Sequence, residues 1–168
     1  MNEHQIRLVK LSPDDGEKHY FFLQSIRADD NGFTNTAYGL SFEDFKAWLK
    51  QQDSWSREEN LPDGFVRQTW YWLMIDDEVA GCGKIRQSLT AQSRIKGGTI
   101  GYAIAPQFRG QGYGNLILRL LLEKADELSV ADKVLTVEKF NYRSAKVIEK
   151  NGGVLYDEND LRWYYRVV

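Results

Sequence analysis

Apolar residues recur with a period near two in some stretches and near 3.6 in others, and the switching between these rhythms predicts the elements. Ile6 and Leu8 fall on one side of an extended chain, so residues 1–12 contain an opening strand. Ser12, Pro13, Asp14 and Asp15 then carry the marks of a helix start, and that helix is expected to run to about Ala28. Asp29 to Gly32 is a loop by composition. Ser41, followed three residues later by Asp44, has the form of a capping box ahead of Phe45, Trp48 and Leu49 at helical spacing, which predicts a second helix over about 42–52. The polar stretch 53–68 reads as a connection, the alternative being a segment draped over a site.

The runs 69–75 and 79–86 are rich in aromatic and β-preferring residues and predict two strands joined by a short acidic turn. Residues 87–98 read as a loop, 99–105 as a strand, and 113–128 as a helix with Leu116, Leu120, Ala125 and Leu128 toward a sheet. A strand at 133–137, a short helix at 141–151 stopped by Gly152, and two last strands at 154–156 and 161–168 complete the pattern. The fold class is α/β (α+β): about seven strands in a mixed sheet and about four helices. The length suits one domain, 1–168.

With 22 basic and 24 acidic residues the net charge is −2, which argues against nucleic acid or a membrane surface as partner. The apolar run near 116–122 falls short of a membrane span. A single cysteine, Cys82, excludes an internal disulfide framework, and no secretory leader is evident, so the expected compartment is cytoplasmic. Two histidines, His4 and His19, with one cysteine give no recognisable metal-ligand spacing, and no metal is expected. Gly81 and Gly83, flanking Cys82, suggest close packing within a strand.

Candidate chemistry centres on 100–125, where a strand ending at Pro106 leads through Arg109, Gly110, Gln111, Gly112, Tyr113 and Gly114 into an amphipathic helix. A helix N-terminus leaves backbone N–H groups unpaired and carries partial positive charge, and glycines ahead of it let backbone close on an anion such as a diphosphate. A Walker-type loop needs Gly-Lys-Ser/Thr, but Gly114 is followed by Asn115 and Leu116. The dinucleotide fingerprint counted from Gly110 and Gly112 would need glycine where the chain has Asn115.

Arg109-x-x-Gly112-x-Gly114 between strand and helix resembles the acyl-CoA loop, Gln/Arg-x-x-Gly-x-Gly/Ala, of the GNAT superfamily of N-acetyltransferases. Downstream, Asn141-Tyr-Arg-Ser144 and the Lys150-Asn-Gly152 turn resemble a second block of that family. The likeness is firm from about 69 to 153 and is nearest to a bacterial branch known mainly as predicted acetyltransferases.

This resemblance implies a GNAT-like, mostly antiparallel sheet of about six or seven strands splayed between 99–105 and 133–138, with acetyl-CoA in the gap. The pantetheine arm would bond to backbone near Ala103 and Ile104. The diphosphate would rest on N–H groups from Arg109 to Gly114, with Arg109 either near a phosphate or bracing the loop. Asn141 would meet the pantetheine amides, and Ser144, Arg143 or Lys146 the outer phosphates, although Arg143 and Lys146 fit a solvated face equally well.

The implied reaction is direct attack of a primary amine on the thioester. Many relatives carry a tyrosine acid at the position matching Ile148, so Tyr142, and after it Tyr156, are the replacement acids. For Tyr142 a packed or exposed aromatic is the alternative. Glu138 is the candidate base, with relayed water as the alternative. The acceptor would be a small-molecule or protein amine, and Asp29, Asp30, Glu58 and Glu59 could attract a cationic one. A module that binds or senses acyl-CoA without turnover is the second reading, and a homodimer is compatible with either.

Overall fold

The computed structural model describes residues 3–168; residues 1 and 2 of the expected domain lie outside them. In chain order the elements are β1 (Ile6–Lys10), α1 (Glu17–Ser25), β2 (Asp29–Asp30), β3 (Phe33–Thr34), α2 (Phe42–Ser56), β4 (Gln68–Ile75), β5 (Glu78–Arg86), α3 (Ala91–Ile95), β6 (Ile100–Ile104), a 3-10 turn (Pro106–Phe108), α4 (Tyr113–Glu127), β7 (Lys133–Glu138), α5 (Tyr142–Lys150), β8 (Gly153–Glu158) and β9 (Arg162–Val167).

Four strands pair in the order β1-β4-β5-β6 and three in the order β7-β9-β8, every pairing antiparallel. This is the splayed α/β sheet anticipated, with a separate two-residue hairpin, β2-β3, where a loop was expected.

All of β4 is buried because both faces of its sheet are covered. Trp70, Trp72 and Met74 enter one core with Phe22, Leu23, Phe45 and Leu49 from α1 and α2. Tyr71, Leu73 and Ile75 enter the other with Leu118 and Leu121 from α4 and Ile148 from α5. The period-two alternation of β4 thus separates two apolar clusters.

Several boundaries differ from the sequence expectation. Helix α1 ends at Ser25, and it begins only at Glu17 because Asp15 is engaged elsewhere: its carboxylate accepts from the Ser12 N–H at 2.8 Å and from Trp72 Nε1 at 2.8 Å. Helix α2 continues to Ser56. The expected loop 87–98 contains α3, whose start is closed reciprocally by Thr90 and Ser93.

On α4 the fully buried residues are Ile117, Leu118, Leu121 and Ala125, so the sheet-facing stripe is rotated from the expected one and only Ala125 is common to both. Leu121 of that stripe packs directly on Gly83, where a Cβ would stand 2.5 Å from Leu121 Cδ1. Gly83→Val is therefore expected to lower stability by about 2 kcal/mol through overpacking, read by urea unfolding. An unchanged midpoint would show that Leu121 can withdraw.

No helix among the described residues is long and apolar enough to cross a membrane.

Candidate functional site

The two main sheets meet at one end only. The Thr99 N–H donates to the Val134 carbonyl at 2.9 Å, the Val134 N–H donates to Thr99 Oγ1 at 2.8 Å, and that hydroxyl donates to the Asp132 carbonyl at 2.7 Å. Gly98 permits this approach, since a Cβ at its φ of +61° would collide with the Val134 carbonyl. Beyond this clasp no β6–β7 ladder forms among the described residues. A cleft of about 1660 Å³ opens there, with Tyr102 and Ile104 on one side and Thr136 and Val137 on the other.

Backbone parity decides which groups of β6 face the gap. Arg86 N–H donates to the Thr99 carbonyl at 2.7 Å and Ala105 N–H to the Ala80 carbonyl at 2.8 Å, so odd-numbered residues present their polar backbone to β5. Ala103 is turned toward β5, and Tyr102 and Ile104 face the open edge. The Ile104 carbonyl accepts Arg109 Nε at 3.1 Å, which leaves the Ile104 N–H and both polar backbone groups of Tyr102 toward the gap.

At the end of β6 the 3-10 turn leads into the glycine loop. Gly110 (φ +75°) and Gly112 (φ +85°) adopt the left-handed conformation that a Cβ disfavours, and Gly112 is the N-cap of α4. The cap receives no side-chain bond and the first turn holds no acid, so the opening N–H groups of α4 have no partner within the helix. Gly110, Gly112 and Gly114 line the cleft. Gln111 and Tyr113 turn away, Gln111 donating to the Gln107 carbonyl at 3.1 Å and Tyr113 packing on Phe108 with centroids 5.9 Å apart. Arg109 ties the loop to β2: its guanidinium donates to both carboxylate oxygens of Asp30, at 3.1 and 3.2 Å.

Helix α5 forms the opposite wall. Asn141 caps it, its side-chain oxygen accepting from the Ser144 N–H at 3.3 Å, which leaves its amide NH2 as donor. Asn141, Tyr142, Arg143, Ser144, Lys146 and Lys150 all line the cleft. Lys150 was read as part of the turn after α5 and given no place in the site, although its spacing from Arg143 and Lys146 on one helix was the available signal. Ile148 is buried in the α4–α5 core. Tyr142 is 61% exposed, with its ring 6.3 Å from Phe140 and 5.6 Å from Trp163.

Tyr156 is not on the cleft; its ring lies under the Arg166 guanidinium, and burial raises its phenol pKa. Glu138 is exposed at the end of β7, in a depression shared with Lys139, Phe140, Asp160, Leu161 and Arg162, and its Cγ lies 3.9 Å from where a Cβ on Gly32 would stand, which puts it at the rim of the cleft beside the β2-β3 hairpin.

The half of the cleft toward α2 corrects two expectations. The connection 53–68 does drape over the site, since Trp55, Asp63 and Phe65 line it and the Trp55 and Phe65 rings meet edge-on at 5.2 Å. The acids expected to attract a cation are engaged: Asp29 by Lys96 at 2.7 Å, Asp30 by Arg109, Glu58 by Arg67 at 3.9 Å and Glu59 by Arg57 at 2.6 Å.

Instead Lys84, which the sequence reading missed, lies in this half of the cleft and is only 6% exposed. Its Nζ donates to the Thr34 carbonyl at 3.3 Å and stands 4.8 Å from the Trp70 ring centroid and 5.1 Å from that of Phe33. Burial, with the Arg86 charge adding, pushes its pKa down to about 7. A lone lysine inside the apolar run 79–86 was the signal in the sequence.

Residues 5–154 match the acetyltransferase (GNAT) domain family. The chain belongs to that family. Among solved structures, the GNAT domain is similar to the N-acetyltransferase PseH of Campylobacter jejuni in complex with acetyl coenzyme A (TM-score 0.63, 16% identity, 97% of this chain and 98% of that one). It is also similar to RimL, a ribosomal L7/L12 α-N-protein acetyltransferase in complex with coenzyme A (TM-score 0.72, 16% identity, 97% and 93%). The third likeness is to the microcin C7 self-immunity acetyltransferase MccE in complex with acetyl-CoA and AMP (TM-score 0.70, 16% identity, 99% and 93%). Among curated proteins none matches this sequence significantly. At these identities the structural likenesses speak for the fold of the GNAT domain.

Proposed function

We propose that this GNAT domain transfers the acetyl group of acetyl-CoA to a primary amine by direct attack, in the cytoplasm. One observation carries the reading: a single cleft joins the unpartnered N–H groups at the start of α4 to the open edge of β6. The first suits a diphosphate and the second an extended amide-bearing arm.

The residues present fit that co-substrate. Gly110 to Gly114 would hold the diphosphate through backbone. The open groups of Tyr102 and Ile104 would pair with the arm, while Asn141 offers its NH2 and Ser144, Lys146 and Lys150 stand near the outer phosphates. Arg109 serves by bracing the loop against Asp30. When bound, acetyl-CoA supplies an activated acyl carbonyl and a thiol leaving group.

The protein's part is positioning and proton management. The Ile104 N–H faces the gap and can donate to an oxygen on which charge develops. An alkylammonium with a pKa near 10.4 must lose its proton before it attacks; Glu138, at the rim of the cleft beside Gly32, takes it through relayed water, since Asp30 is held by Arg109. Tyr142, at the mouth of the gap, is the group that returns a proton to the departing sulfur.

CoA release from acetyl-CoA across a panel of amines tests the proposal. Acceptor-dependent release supports it; saturable acetyl-CoA binding without turnover for any amine would favour the sensing module. Tyr142→Phe should lower kcat by about a hundredfold with little change in the KM for acetyl-CoA. An unchanged kcat would leave Tyr142 as a packing residue only.

A further inference from the structure

The α2 side of the cleft is supplied with donors that have no acid to serve. Lys84 is buried on β5, and among the described residues its side chain's only hydrogen bond goes to the Thr34 carbonyl. Arg86, two residues along the same strand and partly buried, donates to the Gly98 carbonyl at 3.1 Å. Among the described residues no carboxylate comes within ion-pair distance of either. Trp70, the β4 neighbour of Lys84, is 2% exposed, and its indole N–H is buried with no hydrogen-bond partner. All three side chains line the cleft.

Of the cleft's two carboxylates, Asp30 is taken by Arg109 and Asp63 sits exposed on the covering segment. Burying a cation without a counter-charge, or a donor without an acceptor, is costly unless a ligand provides it. Arg86 therefore carries positive charge without an acid partner, and Lys84, whose pKa burial has lowered, becomes fully charged when an anion settles beside it.

Their position relative to the reaction is also fixed. Lys84 pairs with Gly101 of β6, one strand in from the open edge. Neighbouring strands are about 4.8 Å apart, so an anion at Lys84 and an amine at the gap would be separated by only a few bonds.

Resting on the acetyltransferase reading above, we propose that the acceptor is a small amine that also bears an anionic group, carboxylate or phosphate, which Lys84, Arg86 and the Trp70 N–H receive while the amine points into the gap. Binding of the anion supplies the missing counter-charge. A polyamine, or an amine with no anion, leaves these donors unserved and brings further positive charge against them.

Matched acceptors test this: glutamate against glutamine, O-phosphoethanolamine against ethanolamine, and cadaverine as the cationic case. Each is assayed for CoA release and, by calorimetry, for binding to the CoA-loaded protein. The expected result is preference for the acidic member of at least one pair, and which pair shows it tells carboxylate from phosphate.

Lys84→Met should reduce the acidic-to-neutral ratio of kcat/KM about tenfold or more, as loss of a charged hydrogen bond implies. Its thermal midpoint should not fall, because exchanging a buried amine that has no acid partner for an apolar chain of similar length removes a desolvation cost.

Equal or better use of the neutral member in both pairs, or use of cadaverine equal to or better than that of both acidic amines, overturns the proposal. So does Lys84→Met acting equally on both members of a pair, which would place the lysine's effect on the amine. Failure of both glutamate and O-phosphoethanolamine to bind the CoA-loaded protein also overturns it. Failure of the protein to bind acetyl-CoA at all is a different result and removes the acetyltransferase reading itself.

Discussion

Gly112→Trp is expected to raise the Kd for acetyl-CoA about a hundredfold or more, equivalent to about 2.7 kcal/mol, while the protein stays folded. Two effects combine. The φ of +85° at this position strains any residue with a Cβ, by about 1–2 kcal/mol. The larger effect is steric: a Cβ on Gly112 meets no protein atom within 4 Å, and Gly112 lines the cleft, so the indole takes the space in front of the helix N-terminus. Calorimetry with acetyl-CoA reads the loss, and thermal unfolding without ligand should show only the strain. An unchanged Kd would place the diphosphate somewhere other than the start of α4.

The second large effect is expected at the contact between Arg109 and Asp30. Asp30 is only 7% exposed, and Arg109 is the only cation at ion-pair distance from it among the described residues. Arg109→Met would leave that carboxylate buried and uncompensated. Breaking a fully buried pair costs about 3–5 kcal/mol, and because the Arg109 side chain is 39% exposed the expected loss is smaller, about 2 kcal/mol.

The substitution also frees the Ile104 carbonyl and unties the glycine loop from β2, so weaker acetyl-CoA binding should accompany the lost stability. Asp30→Asn combined with Arg109→Met removes the stranded charge and should recover most of the stability without recovering the affinity. Additive losses in the double variant would show that the two side chains do not act as a unit.

The parts of the fold legible in the sequence were those whose own residues set their geometry. β4, β5, β6, α4 and α5 begin and end within about two residues of expectation, because continuous apolar runs and glycine stops define them. What could not be read depends on partners distant in the chain. The α1 start was displaced by Asp15, whose bond to Trp72 spans 57 residues. The β2-β3 hairpin is two residues per strand, too short for any periodicity.

The site divides the same way. The glycine loop is a local motif and was found, and Asn141 stood out in the second block of the resemblance, though its capping of α5 was not read. The use of Arg109 as a brace and the exposure of Lys84 to the cleft both follow from how strands pair and splay, which one chain's sequence pattern does not state. The bias toward Tyr102 and Ile104 over Ala103 is likewise a matter of ladder parity, set by bonds to β5.

The two apolar clusters on either side of the four-stranded sheet have a consequence for how such a protein can change over generations. Phe33, Trp48 and Trp70, which wall the acceptor's half of the cleft, belong to the cluster under α1 and α2, whereas the helix that opens with the glycine loop is anchored in the other. On the proposed function, mutations that reshape the acceptor's side therefore disturb packing that α4 does not lean on, the glycine loop being tied to that side through Phe108 and the Arg109–Asp30 pair. A duplicated copy can drift toward a new acceptor through one half of its interior while inheriting the other unchanged.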